Sequence, residues 1–325
     1  MSRVCAVILL VACSWSLACS RSGSRTSPRV VVVITVDWEG AYFSPEGMAA
    51  LEELRTRVGG APFTHFVSAA YFTKDPPDPT ASRQLAGAIR AGDELAVHLH
   101  VWKSLARASG IAAPKVSPSF LNGTDKILEL EDGDTGIDTD LDVYDVPELR
   151  LLLRTSRRLI AQTGVTVSTS FSAGANLGTP KVLQAARAEG YMVDASAIDP
   201  RHGEDVEAFQ RERLAELWPK VEPLTQPFTI TTPHGPLLEM PVAVLVDETT
   251  TDKLVKLIEA AHQKLVAQPD RDVFVVIGLT QETAADAPKV LGTAIERVRT
   301  RPELARDLTF TTIANAAARV PKAAL

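Results

Sequence analysis

Two of the chain's six histidines stand two residues apart, in the segment Val97-His98-Leu99-His100-Val101-Trp102. In an extended chain, residues i and i+2 point to the same side, so both imidazoles would face one way and Leu99 the other. A single histidine at such a place is typically packed or solvated. A pair with strand spacing, at the end of a buried strand, is instead typical of metal ligands.

Two carboxylates with the same spacing follow another apolar run, in Thr35-Val36-Asp37-Trp38-Glu39-Gly40. Because the run before them is wholly apolar, Asp37 and Glu39 would stand at the carboxyl end of a buried strand. Taken alone, the two residues would be interpreted as a turn aspartate followed by a surface glutamate. Combined with the histidine pair, Glu39 completes a set of two imidazoles and one carboxylate.

This set predicts a site for one divalent metal, with zinc as the first expectation. Glu39, His98 and His100 would leave coordination positions open for water and substrate, as catalytic zinc sites do and closed structural sites do not. The metal would lower the pKa of bound water and polarise a carbonyl group. Asp37, beside a ligand but not needed as one, would take the proton from that water.

The elements that must position these residues alternate between strand and helix. Residues 29–36 form a continuous β-branched run, typical of a strand buried on both faces in a parallel sheet. Further strands are predicted at 64–72, 94–101, 165–172, 192–197, 237–245, 272–279 and 308–312, and helices at 44–58, 81–91, 146–163, from 180, at 251–267, at 287–299 and at the C-terminus. Repeated alternation implies one α/β domain with a parallel sheet closed, or nearly closed, into a barrel, with its chemistry at the carboxyl ends of the strands.

Charge and cysteine content exclude several classes of function. The 325-residue chain has a net charge of −6 and no basic block, which argues against a nucleic-acid partner held through its phosphates. All three cysteines, Cys5, Cys13 and Cys19, lie within the first 19 residues. The predicted domain therefore has no thiol for a disulfide, a nucleophile or a zinc ligand, and a metal there must be held by His, Asp or Glu.

The N-terminus has the zones of an export leader. Arg3 precedes an apolar run over residues 4–12 that is too short to span a bilayer, and small residues surround two cysteines. Leu10-Val11-Ala12-Cys13 fits the lipoprotein cleavage pattern better in sequence, but Ser16-Leu17-Ala18-Cys19 gives the more usual leader length and is preferred. An ordinary cleaved secretion signal is the alternative.

We therefore expect residues 1–19 to be a lipoprotein-type signal peptide that ends in the lipidation of Cys19. Residues 20–28 would be a flexible tether and residues 29–325 a single domain. The protein would be exported and anchored by lipid at the bacterial cell envelope, facing the periplasm or at the cell surface. Within the domain, an acidic insertion at about residues 113–145 does not match EF-hand spacing, and we interpret it as a solvated insertion over the barrel mouth.

Several segments together resemble the polysaccharide deacetylase (NodB-homology, carbohydrate esterase) family. They are VDWEG, the ELAVHLHVW segment, TSFSAGANLGTPKVLQAARAEGYMVDAS, PLLEMPV and VFVVIGLTQET, from about Val30 to about Thr312. The resemblance implies a deformed (β/α)7–8 barrel that removes acetyl groups from N- or O-acetylated sugars with zinc or another divalent metal. It also implies Asp37 as catalytic base, Glu39 as acidic ligand and His98 as first ligand histidine.

The chain departs from the family's pattern at two places near the expected site. The second ligand histidine usually follows the first by four residues, where this chain has Trp102, so His100 must take its place. The segment that usually reads Phe-Arg-Ala-Gly is Phe171-Ser172-Ala173-Gly174, without the arginine that would orient the base.

A third departure concerns the proton donor. Thr280-Gln281-Glu282 stands where the family usually delivers a late histidine that protonates the leaving group. Glu282, His202 or His234 would have to supply that proton, although both histidines are otherwise interpreted as loop or surface residues. Loss of a general acid alone costs about two to four orders of magnitude in rate.

Two tryptophans directly follow site residues. Trp38 and Trp102 are predicted to stack on a sugar ring, with packing at the barrel rim as the alternative. The leading hypothesis is a metal-dependent deacetylase acting on acetylated polysaccharide. A catalytically impaired lipoprotein that binds carbohydrate or has a structural role is the second, and a metal hydrolase acting on another amide or ester is the third.

Overall fold

The computed structural model describes residues 27–130, 133–203 and 206–321. The predicted signal peptide with Cys19, and the predicted tether up to residue 26, lie outside these residues. No helix in the described ranges is long and apolar enough to cross a membrane.

Strands and helices alternate along the chain as predicted. The strands are β1 (Val30–Trp38), β2 (Phe63–Ser68), β3 (Glu94–Leu99), β4 (Val167–Ala173), β5 (Val193–Asp194), β6 (Phe228–Thr232), β7 (Gly235–Glu239), β8 (Val242–Leu245), β9 (Val273–Thr280) and β10 (Leu308–Thr311). The helices are α1 (Pro45–Arg57), α2 (Ala81–Ala88), α3 (Lys103–Ala108), α4 (Val146–Ala161), α5 (Pro180–Ala188), α6 (Ala208–Leu217), α7 (Thr251–Ala267), α8 (Thr293–Arg299), α9 (Pro302–Asp307) and α10 (Ile313–Ala317).

The strands form one curled, mostly parallel sheet in the order β6-β7-β5-β4-β3-β2-β1-β9-β8, with β10 beside β1. β7 and β8 lie on either side of a bend at Met240 and Pro241, so that β7 pairs with β5 and β8 pairs with β9. A bridge between Ile198 and Val242 brings the two sides of the curled sheet together, and Val242 N donates to Ala197 O at 2.7 Å. The predicted deformed β/α barrel is therefore confirmed.

Side-chain alternation along β1 separates two cores. Its even-numbered residues, from Val30 to Trp38, belong to a core shared with α1, α4, α7 and α8 outside the sheet. Val31 and Val33 belong to the other core, which Ile313 of α10 helps to fill. Because successive side chains of a strand point to opposite faces, Asp37 and Glu39 continue the inner face of β1.

Several element boundaries differ from the predicted ones. The strand expected at 64–72 ends at Ser68, whose hydroxyl accepts a hydrogen bond from Ala70 N and starts a 3₁₀ turn. The strand expected at 237–245 is divided at Pro241, which has no N–H to donate to a ladder. Strand β6 and helices α3, α6 and α9 have no predicted counterpart. In α6, Leu214 is the buried residue, so its apolar periodicity is weak.

The second part of the acidic insertion is packed against the domain, whereas Asp125 and Glu129 in its first part are exposed, as expected of a solvated segment. Asp138 and Asp140 are 1% and 7% exposed, and Asp138 Oδ2 accepts a hydrogen bond from Leu128 N at 3.2 Å. Asp134 Oδ2 lies 3.2 Å from Lys74 Nζ. Buried carboxylates need such partners because their desolvation is costly.

Two further carboxyl groups lie side by side where β5 pairs with β7. They belong to Asp194 and Glu239, which are register partners. Both are fully buried. Ser196 Oγ donates to Asp194 Oδ1 at 2.6 Å, and Ala197 N donates to Glu239 Oε1 at 2.9 Å. Burial and the neighbouring Asp194 raise the pKa of Glu239 well above its ordinary value of 4.5, so Glu239 holds a proton.

Replacing Glu239 by glutamine is expected to flatten the fall in stability with rising pH. A group whose pKa is raised on folding stabilises the fold below its unfolded pKa, and this contribution is lost as pH rises toward the folded pKa. For one proton, the free energy of unfolding falls by about 1.4 kcal/mol per pH unit in that window. The free energy of unfolding, measured with urea between acidic and mildly alkaline pH, should fall less steeply with pH in Glu239→Gln than in the parent chain.

A complementary variant is Asp194→Asn, which removes the neighbouring carboxylate that helps to raise the pKa of Glu239. In this variant we expect Glu239 to lose its proton at lower pH, so that the fall in stability ends at a lower pH than in the parent chain. An unchanged pH slope in Glu239→Gln would show that Glu239 does not hold a proton in the folded state.

Candidate metal centre

The barrel brings the predicted ligands to one edge of the sheet. β1 and β3 both pair with β2, and all three strands are parallel, so their carboxyl ends meet. His98 and His100 point to the same side of the chain as Ala96, which belongs to the inner core. Glu39 and both imidazoles therefore converge on the inner side of the barrel mouth.

The three side chains are close enough to share one ion. Glu39 Oε2 lies 2.5 Å from His100 Nε2 and 3.5 Å from His98 Nε2. The two imidazole ring centroids are 4.9 Å apart. One ligand atom from each residue can be chosen so that all lie within 4.8 Å of one another, and this is the one such group of His, Cys, Asp or Glu among the described residues.

The donor set of this site fits a divalent metal. His100 Nδ1 donates to the Ile137 carbonyl at 2.5 Å, which leaves the lone pair of Nε2 directed at the Glu39 carboxylate. Nε2 of His100, both ring nitrogens of His98 and Oδ1 of Asp37 are buried without a hydrogen-bond partner in the described part of the chain. Such a cluster of buried polar atoms without partners is costly, and a cation among them would supply the missing partner.

The charges of the site shift its pKa values strongly. Burial raises the pKa of Asp37 to about 6, with a contribution from Glu39 in the same direction that His98 and His100 partly offset. Burial alone would raise the pKa of Glu39, but the nearby imidazoles hold it below its ordinary value. Burial lowers the pKa of His98, yet the carboxylates of Asp37 and Glu39 outweigh it and raise the value to about 9. A metal would replace the proton of His98.

Ser172 and Gly174 show how β4 accommodates this site. Ser172 is the register partner of His98 in β3, in the segment that lacks the family's arginine. A Cβ atom on Gly174 would lie 2.5 Å from Cε1 of His100, so only glycine leaves room for that ring. Without an arginine beside Asp37, the imidazole of His98 is the first of the groups that lower its pKa.

Glu282, at the end of β9, is the predicted proton-donor candidate that lies at the site. Its Oε2 accepts a hydrogen bond from Glu39 N at 3.4 Å, and Tyr71 OH donates to its Oε1 at 2.5 Å. Burial, followed by the charge of Glu39, raises the pKa of Glu282 to about 8. Tyr71 was not predicted from the sequence, because it lies in the 3₁₀ turn after β2 and belongs to no motif.

Among the described residues, neither histidine candidate has a hydrogen bond or an ion pair with Glu39, His98, His100 or Asp37. His202 Nδ1 donates to Asp199 O at 2.6 Å, and its Nε2 lies 3.5 Å from Glu248 Oε2. His234 is exposed in the turn between β6 and β7, and its N–H donates to Thr232 Oγ1.

Trp38 and Trp102 are both fully buried, so neither indole faces a ligand. Trp38 lies on the outer face of β1, and its Nε1 donates to His65 Nδ1 at 3.2 Å. Trp102 Nε1 donates to Glu39 O at 2.8 Å, and Lys74 Nζ lies 3.7 Å from its ring centroid. Packing, the alternative to sugar stacking, describes both residues.

No family model matches the chain, and no curated protein matches it. Solved structures do, among them a candidate polysaccharide deacetylase from Mycobacterium smegmatis, with a TM-score of 0.53 and 14% identity over 91% of both chains. A probable polysaccharide deacetylase from Pseudomonas aeruginosa PAO1 has a TM-score of 0.50 and 12% identity over 90% of this chain and 91% of its own. Puue allantoinase has a TM-score of 0.50 and 14% identity over 90% of both chains. At these identities the likeness shows the fold, which is the one implied by the sequence resemblance.

Proposed function

We propose that the protein is a metal-dependent hydrolase that removes acetyl groups from N- or O-acetylated polysaccharide. The observation that carries this proposal is the convergence of Glu39, His98 and His100 beside Asp37, whose Oδ1 is buried without a hydrogen-bond partner in the described residues. The set of two imidazoles and one carboxylate favours zinc as the metal.

A divalent ion held by Glu39, His98 and His100 would supply Lewis-acid chemistry, polarising the acetyl carbonyl and activating water. Asp37 is the base that takes the proton from the attacking water. Its raised pKa, about 6, brings its proton affinity closer to the working pH than that of an ordinary aspartate. Asp37, whose pKa is raised, thus acts as the base, and Glu39, whose pKa is lowered, acts as the metal ligand.

Glu282 is the group that returns a proton to the leaving nitrogen or oxygen of the sugar. Its pKa of about 8 keeps it protonated at neutral pH, while Asp37 is largely ionised. Tyr71 holds one oxygen of Glu282 and the backbone N–H of Glu39 holds the other, so the carboxyl group is fixed at the mouth. An acid and a base whose pKa values are pushed apart is the arrangement that hydrolysis of an amide or ester requires.

Export and lipid attachment through Cys19 belong to the same proposal. The apolar run at residues 4–12 and the small residues before Cys19 support it. A lipid-anchored enzyme at the cell envelope would face polysaccharide substrates directly.

Acetate release is expected to require a divalent metal. The purified chain, incubated with acetylated chitooligosaccharide and acetylated xylan, should release acetate, stop after treatment with a chelator and resume when Zn²⁺ is added. Elemental analysis should find about one ion per chain. A chain that contains no zinc, cobalt or nickel would refute the proposal, and saccharide binding without acetate release by the metal-loaded chain would favour the non-catalytic alternative.

A further inference from the structure

The acidic insertion contacts the chain directly after β3 through residues 134–137, here called the insertion clamp. Lys103 N donates to Thr135 O at 2.8 Å. Ser104 N and Ser104 Oγ donate to the two carboxylate oxygens of Asp134, at 3.1 and 2.6 Å. The clamp is therefore bonded at several points to the segment that carries His100.

The last residue of the clamp holds His100 itself. Ile137 O accepts the hydrogen bond from His100 Nδ1 at 2.5 Å, across 37 residues of sequence. A carbonyl oxygen can only accept, so this contact puts the ring proton on Nδ1 and leaves Nε2 with its lone pair. Nε2 is the atom that lies 2.5 Å from Glu39.

Gly136 lets the clamp lie this close. Its φ is +103°, and a Cβ atom there would lie 2.8 Å from Val101 O and 3.2 Å from Trp102 Cα. Both the backbone conformation and the available space therefore demand glycine. The ring of His100 also packs against Gly174, where a Cβ atom would lie 2.5 Å from Cε1 of His100.

We propose that the insertion clamp is a positioning element of the metal site, which fixes the tautomer and the orientation of His100. The inference rests on the metal site of the proposed function. His100 is the first residue after the end of β3, so the ladder of hydrogen bonds along the strand does not fix its ring. The Ile137 carbonyl provides that support, and carbonyl partners of this kind orient ligand imidazoles and raise their basicity.

The decisive comparison is Gly136→Ala against Gly133→Ala in the full chain. Both glycines have positive φ and lie in the same loop, but among the described residues no atom that could clash lies within 4 Å of a Cβ on Gly133. We expect Gly136→Ala to weaken Zn²⁺ binding about 10–100-fold by calorimetric titration of the metal-free chain, as losses of outer partners of metal ligands do. Gly133→Ala should bind Zn²⁺ as the parent chain does. Equal affinity in the two variants would overturn the proposal.

Ser104→Ala is a milder second variant that keeps the backbone unstrained and removes the 2.6 Å bond to Asp134. It should weaken Zn²⁺ binding in the same direction while the circular dichroism spectrum stays that of the parent, and parental affinity would contradict the clamp.

A second readout needs no metal. At alkaline pH, the ¹⁵N shifts of His100 in the metal-free chain should show Nδ1 protonated, and Gly136→Ala should show a mixture of tautomers. A proton on Nε2 in the parent chain would reject the clamp. A chain that binds Zn²⁺ with these differences but releases no acetate would refute the proposed function and leave the clamp intact.

Discussion

Replacing Asp37 by asparagine is expected to reduce acetate release by the Zn²⁺-loaded chain about 10²–10⁴-fold, without loss of the metal. Asparagine keeps the shape of the side chain and cannot take a proton from water. The ligand set Glu39, His98 and His100 is untouched, so one ion per chain should remain. The measurement is kcat for acetate release together with the metal content of the same preparation.

Asp270→Asn is the matched control, because Asp270 is an exposed carboxylate in the loop before β9, at the other end of that strand from Glu282. It should keep the parental rate. Parental acetate release in Asp37→Asn would remove Asp37 from the reaction, and loss of the metal in that variant would make Asp37 a ligand instead of a base.

The metal ligands could be predicted from the sequence because their spacing and the alternation of side chains along a strand put them on one face. Two pairs at i and i+2, each at the end of an apolar run, place Asp37, Glu39, His98 and His100 on one face without knowledge of the fold. The same alternation puts Trp38 on the opposite face. The buried position of Trp38 could thus be inferred from the residues that predicted the metal site, and the expectation of sugar stacking overlooked it.

The partners that tune the site were not accessible in the same way. Tyr71 contacts Glu282 across 211 residues, and it lies in a turn whose sequence has no motif. The partner of His100 is a backbone carbonyl, which every residue type possesses, so the sequence cannot indicate which residue provides it. Acidic side chains in the insertion suggested solvation, whereas hydrogen bonds and an ion pair allow several of them to be buried.

Replacing Glu282 by glutamine is the second large expected effect, a fall in kcat of about 10²–10⁴-fold with the alkaline limb of the pH profile abolished. With the parent chain, kcat/KM should be bell-shaped, rising as Asp37 ionises and falling as Glu282 loses its proton. The pKa values of the two groups are about 6 and about 8. The positive charge of a bound cation lowers both, so each limb is expected at or below these values.

Tyr71→Phe separates the acid from its hydrogen-bond partner. The Tyr71 hydroxyl stabilises the ionised form of Glu282 and so lowers its pKa. Its removal should therefore move the alkaline limb to higher pH and leave the acidic limb in place. An alkaline limb that persists unchanged in Glu282→Gln, or one that Tyr71→Phe does not move, would assign the leaving-group proton to another residue. His202, buried beside Glu248, would then be the next side chain to replace.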